Sequence, residues 1–153
     1  MKAIITFISC FICIQLFAFC NKSNEMTGSS NNVLNTDSMK LKITIGTNTY
    51  TATLFNNATV TAFKTRLPMT VNMRDLNSNE KYFDLPNNLP ANASNPGTIQ
   101  TGDLMLYGSN TLVLFYKSFS TSYNYTQMGR IDDASGLIAA LGSGNVTVSF
   151  ASQ

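Results

Sequence analysis

Short runs in which apolar and polar residues alternate one by one constrain the fold of this chain more than any other feature. Leu41, Ile43 and Ile45 alternate with polar residues, a turn sequence begins at Gly46, and a second alternating run extends over 50–55. A period of two places every second side chain on the same face of a strand. Two such runs joined by a turn predict a β-hairpin.

Similar runs predict strands along most of the chain after residue 38. The apolar residues Met69, Val71 and Met73 alternate with polar ones, whereas Leu112 to Tyr116 is apolar without interruption. An uninterrupted apolar run of this length is typical of a strand that is covered on both faces. Further strands are expected over 103–107, 125–131 and 146–150.

Two short helices are predicted between the strands. Asn57 is suited to cap a helix from Ala58 to Leu67, which the proline at 68 then ends. Asp132 or Asp133 is suited to cap a second helix, from Ala134 to Leu141, with a glycine after it.

The segment from Asn77 to Gln100 lacks the regular alternation of apolar and polar residues. It contains three of the four prolines and many asparagines, so it is expected to be a long loop. Long loops in compact domains often bind something, although a passive excursion over the surface is the alternative. Glu80 and Lys81 at its start either fix the mouth of a site or form a surface ion pair.

These elements predict a mainly β fold, a closed β-barrel with two short helices, for residues 39–153. About 115 residues are enough for one hydrophobic core and too few for two. Closure of the sheet would leave no unpaired strand edge exposed to other chains.

The first 38 residues predict export. Lys2 precedes an apolar stretch over 3–19, which is typical of a signal peptide (residues 1–20), and Cys20 follows it as in the lipobox of bacterial lipoproteins. Residue 19 is Phe19, where that motif usually has a small residue, so secretion without a lipid and an uncleaved anchor remain open. Residues 21–38 are polar and are expected to be a flexible tether. The expected location is a bacterial membrane, on its periplasmic or cell-surface side, with the membrane as a partner through the lipid.

Composition excludes several classes of function. The chain has no His and no Trp, and all its cysteines lie at or before Cys20, which removes Ser-His-Asp and Cys-His catalysis and the usual ligands of zinc and haem. No cofactor and no metal site is therefore predicted. Apart from Lys2, nine basic side chains are interleaved with eight acidic ones, so no nucleic-acid partner is expected.

The chain contains, in this order, the short sequences Leu67-Pro68, Met73 to Leu76, Glu80-Lys81, Leu89-Pro90, Gly102 to Leu104, Tyr107-Gly108, Leu112 to Tyr116, Tyr125-Thr126, Gly129 to Asp132 and Leu137 to Phe150. Together they resemble the bacterial cyclophilin-like family over residues 40–151. The resemblance implies the same closed barrel. Cyclophilins isomerise the peptide bond before proline with an arginine and an apolar pocket, but the family signature Phe-Met-x-Gln-Gly-Gly-Asp and the pocket tryptophan are not present in this sequence.

Three functions follow as alternatives. The first is a non-enzymatic module that binds a peptide, glycan or protein. The second is a weak peptidyl-prolyl isomerase or foldase, for which Arg74 is the catalytic candidate. The third is a hydrolase that uses two of the carboxylates of Asp75, Glu80, Asp84 and Asp103.

The candidate binding residues are mainly aromatic. Tyrosine rings with polar tips suit peptide and sugar faces, although Tyr107 and Tyr116 are equally suited to a core position. Arg74 either holds a carbonyl or carboxylate of a ligand or pairs with a neighbouring acid. The candidates are Arg74, Glu80, Phe83, Tyr107, Tyr116, Tyr123 and Tyr125.

Overall fold

The computed structural model describes residues 39–153, so the predicted signal peptide, Cys20 and the tether lie outside the described residues. Within this range, no helix is both long and apolar enough to cross a membrane. The elements are β1 (Met39–Ile45), β2 (Asn48–Leu54), α1 (Ala58–Lys64), β3 (Met69–Leu76), β4 (Glu80–Asp84), β5 (Thr98–Ile99), β6 (Asp103–Tyr107), β7 (Thr111–Phe115), β8 (Phe119–Ser120), β9 (Thr126–Ile131), α2 (Leu137–Leu141) and β10 (Val146–Ser152).

Eight of the strands form one closed antiparallel barrel in the order β1-β10-β3-β4-β7-β6-β9-β2. The predicted fold class, a mainly β closed barrel with two short helices, is confirmed. The two-residue strands β5 and β8 pair with each other outside the barrel. β2 and β9 come so close at Gly129 that a Cβ atom there would lie 2.5 Å from the carbonyl oxygen of Thr53.

The inward side chains of the strands form the main core. Leu41, Ile43 and Ile45 of β1 are fully buried, as the alternation predicts. Helix α1 adds Phe63, whose ring packs edge-on against Phe150 at 6.1 Å between centroids. Since this core is built from residues 41–150, residues 39–153 have what a domain needs to fold on its own.

A second, smaller apolar cluster lies on the outside of β6 and β7. Met105, Val113 and Phe115 point away from the barrel interior and are covered by Ile99 and Tyr125. The prediction that the strand beginning at residue 112 is covered on both faces is confirmed.

The predicted loop over 77–100 is wrong in its first part, where β3 and β4 form a hairpin. Asn77 and Ser78 make the turn with positive φ angles of 54° each, a conformation that Asn tolerates better than most residues. The alternation was hidden because Lys81 occupies an inward position of β4, opposite Leu114. The remainder of the segment runs without long strands, and its Leu85 and Leu89 are buried in the main core.

Both helices are shorter than predicted. Asn57 caps α1 as expected, through a hydrogen bond from the Val60 amide, but α1 ends at Lys64. Helix α2 begins at Leu137, because Asp132 instead accepts hydrogen bonds from Lys40 and Thr53 on the barrel wall.

Candidate functional site: an aromatic groove on the outside of the barrel

A groove of about 420 Å³ lies between the outer face of the barrel and the chain segment that follows β7. We call it the aromatic groove. Its volume is in the range of pockets that bind small molecules or parts of larger ligands. It is lined by Leu76, Asn77, Asn79, Glu80, Tyr82, Asp84, Tyr107, Thr111, Val113, Phe119, Tyr123 and Tyr125.

The floor of the aromatic groove follows from the pleat of β4 and β7. Alternate side chains of a strand point to opposite faces, so Glu80, Tyr82 and Asp84 point outward while Lys81 points inward. Val113 of β7 lies opposite Tyr82 and continues the same surface. The floor is therefore a strip of alternate residues from two neighbouring strands.

The wall is held by the proline-rich segment that precedes β6. Ser94 and Tyr125 exchange two backbone hydrogen bonds of 3.0 Å, and Ile99 pairs with Phe119 in the small two-stranded sheet. These pairs fix the segment 119–125 beside the barrel. The segment predicted as a binding loop thus positions the aromatic wall, and only its first residues line the groove.

Aromatic rings contact one another along this wall. Tyr107 lies 6.2 Å from Tyr123 and 5.5 Å from Tyr125 between ring centroids, and Tyr125 lies 5.5 Å from Phe115. Tyr123 is 62% exposed and Tyr107 is 46% exposed. Exposed rings fixed by contact with other rings offer apolar area to a ligand at little cost in conformational entropy.

Exposed apolar side chains concentrate at the aromatic groove. Of the five large apolar residues that are exposed in residues 39–153, three line it, namely Leu76, Tyr107 and Tyr123. The other two are Phe55 and Ile138. A continuous exposed apolar patch is typical of an interaction site, whereas single exposed residues are ordinary.

Glu80 lies at one end of the groove floor and is only 8% exposed. Its carboxylate has neither a salt bridge nor a hydrogen bond to any residue of the described chain, and its oxygens keep contact with solvent, since the buried polar side-chain atom without a partner in residues 39–153 is Asn79 Oδ1. Burial, and after it the negative charge of Asp75, raises the pKa of Glu80 to about 7. Burial of the Tyr125 hydroxyl, and after it the negative charge of Glu80, raises the pKa of Tyr125 to about 12.

The other end of the groove floor carries an ion pair. Arg74 Nη2 donates to Asp84 Oδ2 at 2.7 Å, and the guanidinium lies 4.5 Å from the centroid of the Tyr82 ring. Thr111 donates a further hydrogen bond to the same carboxylate. Both members of the pair are about half exposed, so Arg74 is engaged at the edge of the groove.

A buried ionic cluster lies behind the groove floor. Lys81 Nζ donates to Asp75 Oδ2 at 2.6 Å and to the backbone carbonyls of Gly142 and Gly144. The Tyr116 hydroxyl donates to the same oxygen of Asp75 at 2.7 Å. The hydrogen bonds from Lys81 and Tyr116 lower the pKa of Asp75, and burial together with Asp75 raises the pKa of Tyr116 to about 12.

The structure brings four of the predicted binding residues together, namely Glu80, Tyr107, Tyr123 and Tyr125. Arg74 lies at the edge of the groove. Phe83 and Tyr116 pack instead against the main core. Sequence reasoning missed Leu76, Asn77, Asn79, Tyr82, Asp84, Thr111, Val113 and Phe119 as groove residues. The alternation of Glu80, Tyr82 and Asp84 was the signal for two of them, Tyr82 and Asp84.

The two carboxylates that line the groove, Glu80 and Asp84, are too far apart to act as a pair of catalytic acids. Glu80 and Asp84 share the outer face of β4 but are four residues apart, which is about 13 Å along a strand. Retaining and inverting glycosidases need roughly 5–9.5 Å between the two groups. No cluster of three or more potential metal ligands occurs within residues 39–153.

The class of protein is set by these features: a single closed antiparallel barrel with a groove on its outer wall. The sequence model of the cyclophilin-like family matches residues 43–151. The chain therefore belongs to the cyclophilin-like family.

The comparison with solved structures supports the fold. A hypothetical protein from Archaeoglobus fulgidus, determined in solution, is similar with a TM-score of 0.53 and 17% sequence identity, over 76% of this chain and 95% of that chain. At this identity the likeness concerns the fold alone. No curated protein matches the chain.

Proposed function

We propose that this protein is an exported, lipid-anchored binding module that holds a short peptide segment in the aromatic groove. The observation that carries the proposal is the concentration of exposed, mutually packed aromatic rings at one concave surface of the domain. Fold alone does not define a function in this family, so the argument depends on this surface.

A peptide fits the groove better than a glycan does. The hydroxyl groups of a sugar each need a hydrogen-bond partner when they are buried. Val113 and Phe119 give the groove apolar surface that offers no such partners. Apolar side chains of a peptide would bury area there, at about 25 cal/mol per Å² before the cost of association.

Binding without catalysis is supported by the position of Arg74. Prolyl isomerisation in cyclophilins needs an arginine that is directed at the substrate amide. Here the guanidinium is held by Asp84 and by the face of Tyr82. Its charge is already balanced at the edge of the groove.

Selection of 12-residue peptides from a random phage-displayed library on residues 39–153 tests the proposal. We expect peptides with micromolar to millimolar affinity that lose at least tenfold when Tyr107 or Tyr123 is changed to alanine. Phe55→Ala is the matched control, since Phe55 is a 43% exposed aromatic residue outside the groove. Tyr107→Ala with unchanged affinity would contradict the proposal.

The same domain is run beside the selection on a glycan array and in a protease-coupled proline-isomerisation assay. Selective glycan binding that depends on Tyr123 would replace the peptide with a sugar as the ligand. Isomerase activity that is lost in Arg74→Ala would establish the catalytic alternative instead. We expect neither.

The lipid anchor is tested separately on the full chain. The apolar stretch over 3–19 and Cys20 after it support this part of the proposal. Expression in a Gram-negative host with labelled palmitate is expected to label the wild-type protein, which would then partition with membranes. Cys20→Ala is expected to remove both label and membrane association, while Cys13→Ala, inside the stretch, keeps both. Label retained in Cys20→Ala would reject acylation at this position.

A further inference from the structure

Glu80 differs from every other carboxylate in the described part of the chain. Residues 39–153 contain six carboxylates. Asp75, Asp84, Asp103 and Asp132 each form a salt bridge, and Asp133 accepts a backbone hydrogen bond from Ser135. Glu80 has no such partner although it is more than nine-tenths buried. A carboxylate that is largely removed from water and has no partner costs stability when it ionises, and a cation that enters from the groove would lower that cost.

The surroundings of Glu80 lack a positive charge of their own. No Lys or Arg is among the residues that line the groove in the described chain. Arg74 is engaged with Asp84 at the far end, and Lys81 points to the barrel interior, where it binds Asp75. The acid therefore faces the open groove and no internal cation.

Aromatic faces stand next to this acid. Glu80 lies opposite Phe115 in the β4–β7 register, and Phe115 packs against Tyr125. Tyr125 in turn packs against Tyr107. Aromatic rings attract cations through the negative face of the ring, and the attraction is stronger where water is excluded. The edge of the groove already shows this arrangement. The Arg74 guanidinium lies on the face of Tyr82 and is bound to the Asp84 carboxylate.

We propose that the aromatic groove selects ligands with a positive charge, such as a lysine or arginine side chain of the bound peptide, and that Glu80 pairs with that charge between the tyrosine rings. This inference rests on the proposed function, because it names the ligand chemistry of the same groove. It assigns Glu80 the role of a specificity-determining residue. The peptide would place apolar side chains over Val113 and the cation at the Glu80 end.

The ionisation of Glu80 supports the assignment and supplies its test. With a pKa of about 7, the carboxylate is mostly protonated at pH 6 and mostly ionised at pH 8, whereas a lysine side chain stays charged at both. Affinity for a cation should therefore rise about tenfold between pH 6 and pH 8. Binding should also lower the pKa of Glu80.

Three groups near Glu80 have pKa values that are moved away from this window, since the pKa of Asp75 is lowered and those of Tyr116 and Tyr125 are raised. Asp75 and Lys81 are bound to each other, Arg74 is bound to Asp84, and the pKa values of Tyr116 and Tyr125 are about 12. The other charged or titratable groups on the elements around Glu80, whether or not they point toward it, are Arg74 and Asp75 of β3, Lys81 and Asp84 of β4, Tyr107 of β6, Tyr116 and Lys117 after β7, and Tyr123 and Tyr125 of the wall.

The experiment uses two pentapeptides that differ by one charge, acetyl-Ala-Leu-Lys-Leu-Ala-amide and its norleucine counterpart. Each is titrated into residues 39–153 at pH 6 and pH 8. Tyr107 and Tyr123 amide resonances report occupancy of the groove. Glu80 is the only glutamate in these residues and the chain has no histidine, so one ¹³C-labelled glutamate carboxyl resonance follows its ionisation.

We expect the lysine peptide to bind at least tenfold more tightly than the norleucine peptide at pH 8. This preference should fall about tenfold at pH 6, and the midpoint of the Glu80 titration should move to lower pH on saturation. Glu80→Gln should lose the preference while it still binds the norleucine peptide. Asp133→Asn, which removes an exposed carboxylate outside the groove, should behave as wild type.

Other outcomes would overturn the inference in different ways. Equal binding of both peptides in the groove would retain the proposed function and reject the cation. Binding that strengthens at pH 6 would show that the protonated carboxyl donates a hydrogen bond to the ligand. Binding of neither peptide up to millimolar concentration would reject both proposals for this class of ligand.

Discussion

At the scale of single residues, Glu80 lines the groove, and its ionisation lowers the stability of the folded domain. The pKa of its carboxyl is higher in the folded chain than the usual value of 4.5, because ionisation is disfavoured by burial and by Asp75. The folded state therefore binds the proton more tightly than the unfolded state does. The stability that this provides is fully present below about pH 4.5 and is lost as the pH rises through 7.

Glu80→Gln is expected to remove this pH dependence. The shift corresponds to roughly 3 kcal/mol, and since the carboxyl meets solvent through the groove we expect about 2 kcal/mol. The variant should be more stable than wild type by that amount at pH 8 and nearly equal to it at pH 4.5. Urea denaturation of residues 39–153 at the two pH values measures both differences.

Asp84→Asn is the control for this measurement. Asp84 lies on the same strand, but it is exposed and paired with Arg74, so its replacement should bring no gain at pH 8. If Glu80→Gln were destabilised equally at both pH values, the carboxylate would have a partner in the folded domain. A gain in stability together with a loss of lysine selectivity would make Glu80 a residue that trades stability for binding.

At the scale of elements, the short strand β4 depends on one buried ion pair. Lys81 is fully buried and joins β4 to Asp75 on β3 and to the carbonyls after α2. Lys81 thus places a charged side chain at a position of β4 from which the side chain points into the barrel. The pair orders the hairpin from which Leu76, Glu80 and Tyr82 reach the groove.

Lys81→Met is expected to destabilise the domain by about 3 kcal/mol. The change removes the cation that pairs with the partly buried Asp75 carboxylate and the donor to two carbonyls, and breaking a buried pair costs about 3–5 kcal/mol. Lys117→Met is the matched control, because Lys117 is exposed and also lies near the Tyr116 ring, at 6.0 Å. Urea denaturation at pH 7 measures both variants.

The double variant Lys81→Met with Asp75→Asn should lose less than the sum of the single losses, since neither charge then remains unpaired. Additive losses would show that the two side chains act independently. Loss of β4 alone, with the rest of the barrel intact, would appear as faster hydrogen exchange confined to residues 76–84.

At the scale of the whole molecule, the closed barrel separates two environments. Its interior is an apolar core with one buried lysine, Lys81, whereas its outer wall at β6 and β7 carries the second apolar cluster and the groove beside it. The wall segment over 119–125 packs against the barrel but is not one of its strands. The outer surface of the barrel therefore forms the floor of the groove, and the tyrosines form its side.

The alternation of residues and the turn sequences by themselves determined seven of the eight barrel strands, because the inward face of each of these strands follows from local spacing. They placed β1, β2, β3, β6, β7, β9 and β10, and the cap of α1. They did not show β4, because the charge of Lys81 conceals an inward position until Asp75 and the carbonyls after α2 are beside it.

The groove was decided by the tertiary structure alone. The sequence named Glu80 and three of its tyrosines as candidates, but gave no reason why they should meet. Their meeting depends on the register of β4 with β7 and on the pairing of Ser94 with Tyr125, which joins residues 31 positions apart. Whether a carboxylate forms a salt bridge or a hydrogen bond depends in the same way on residues that are distant in the sequence, so it could not be predicted from local patterns.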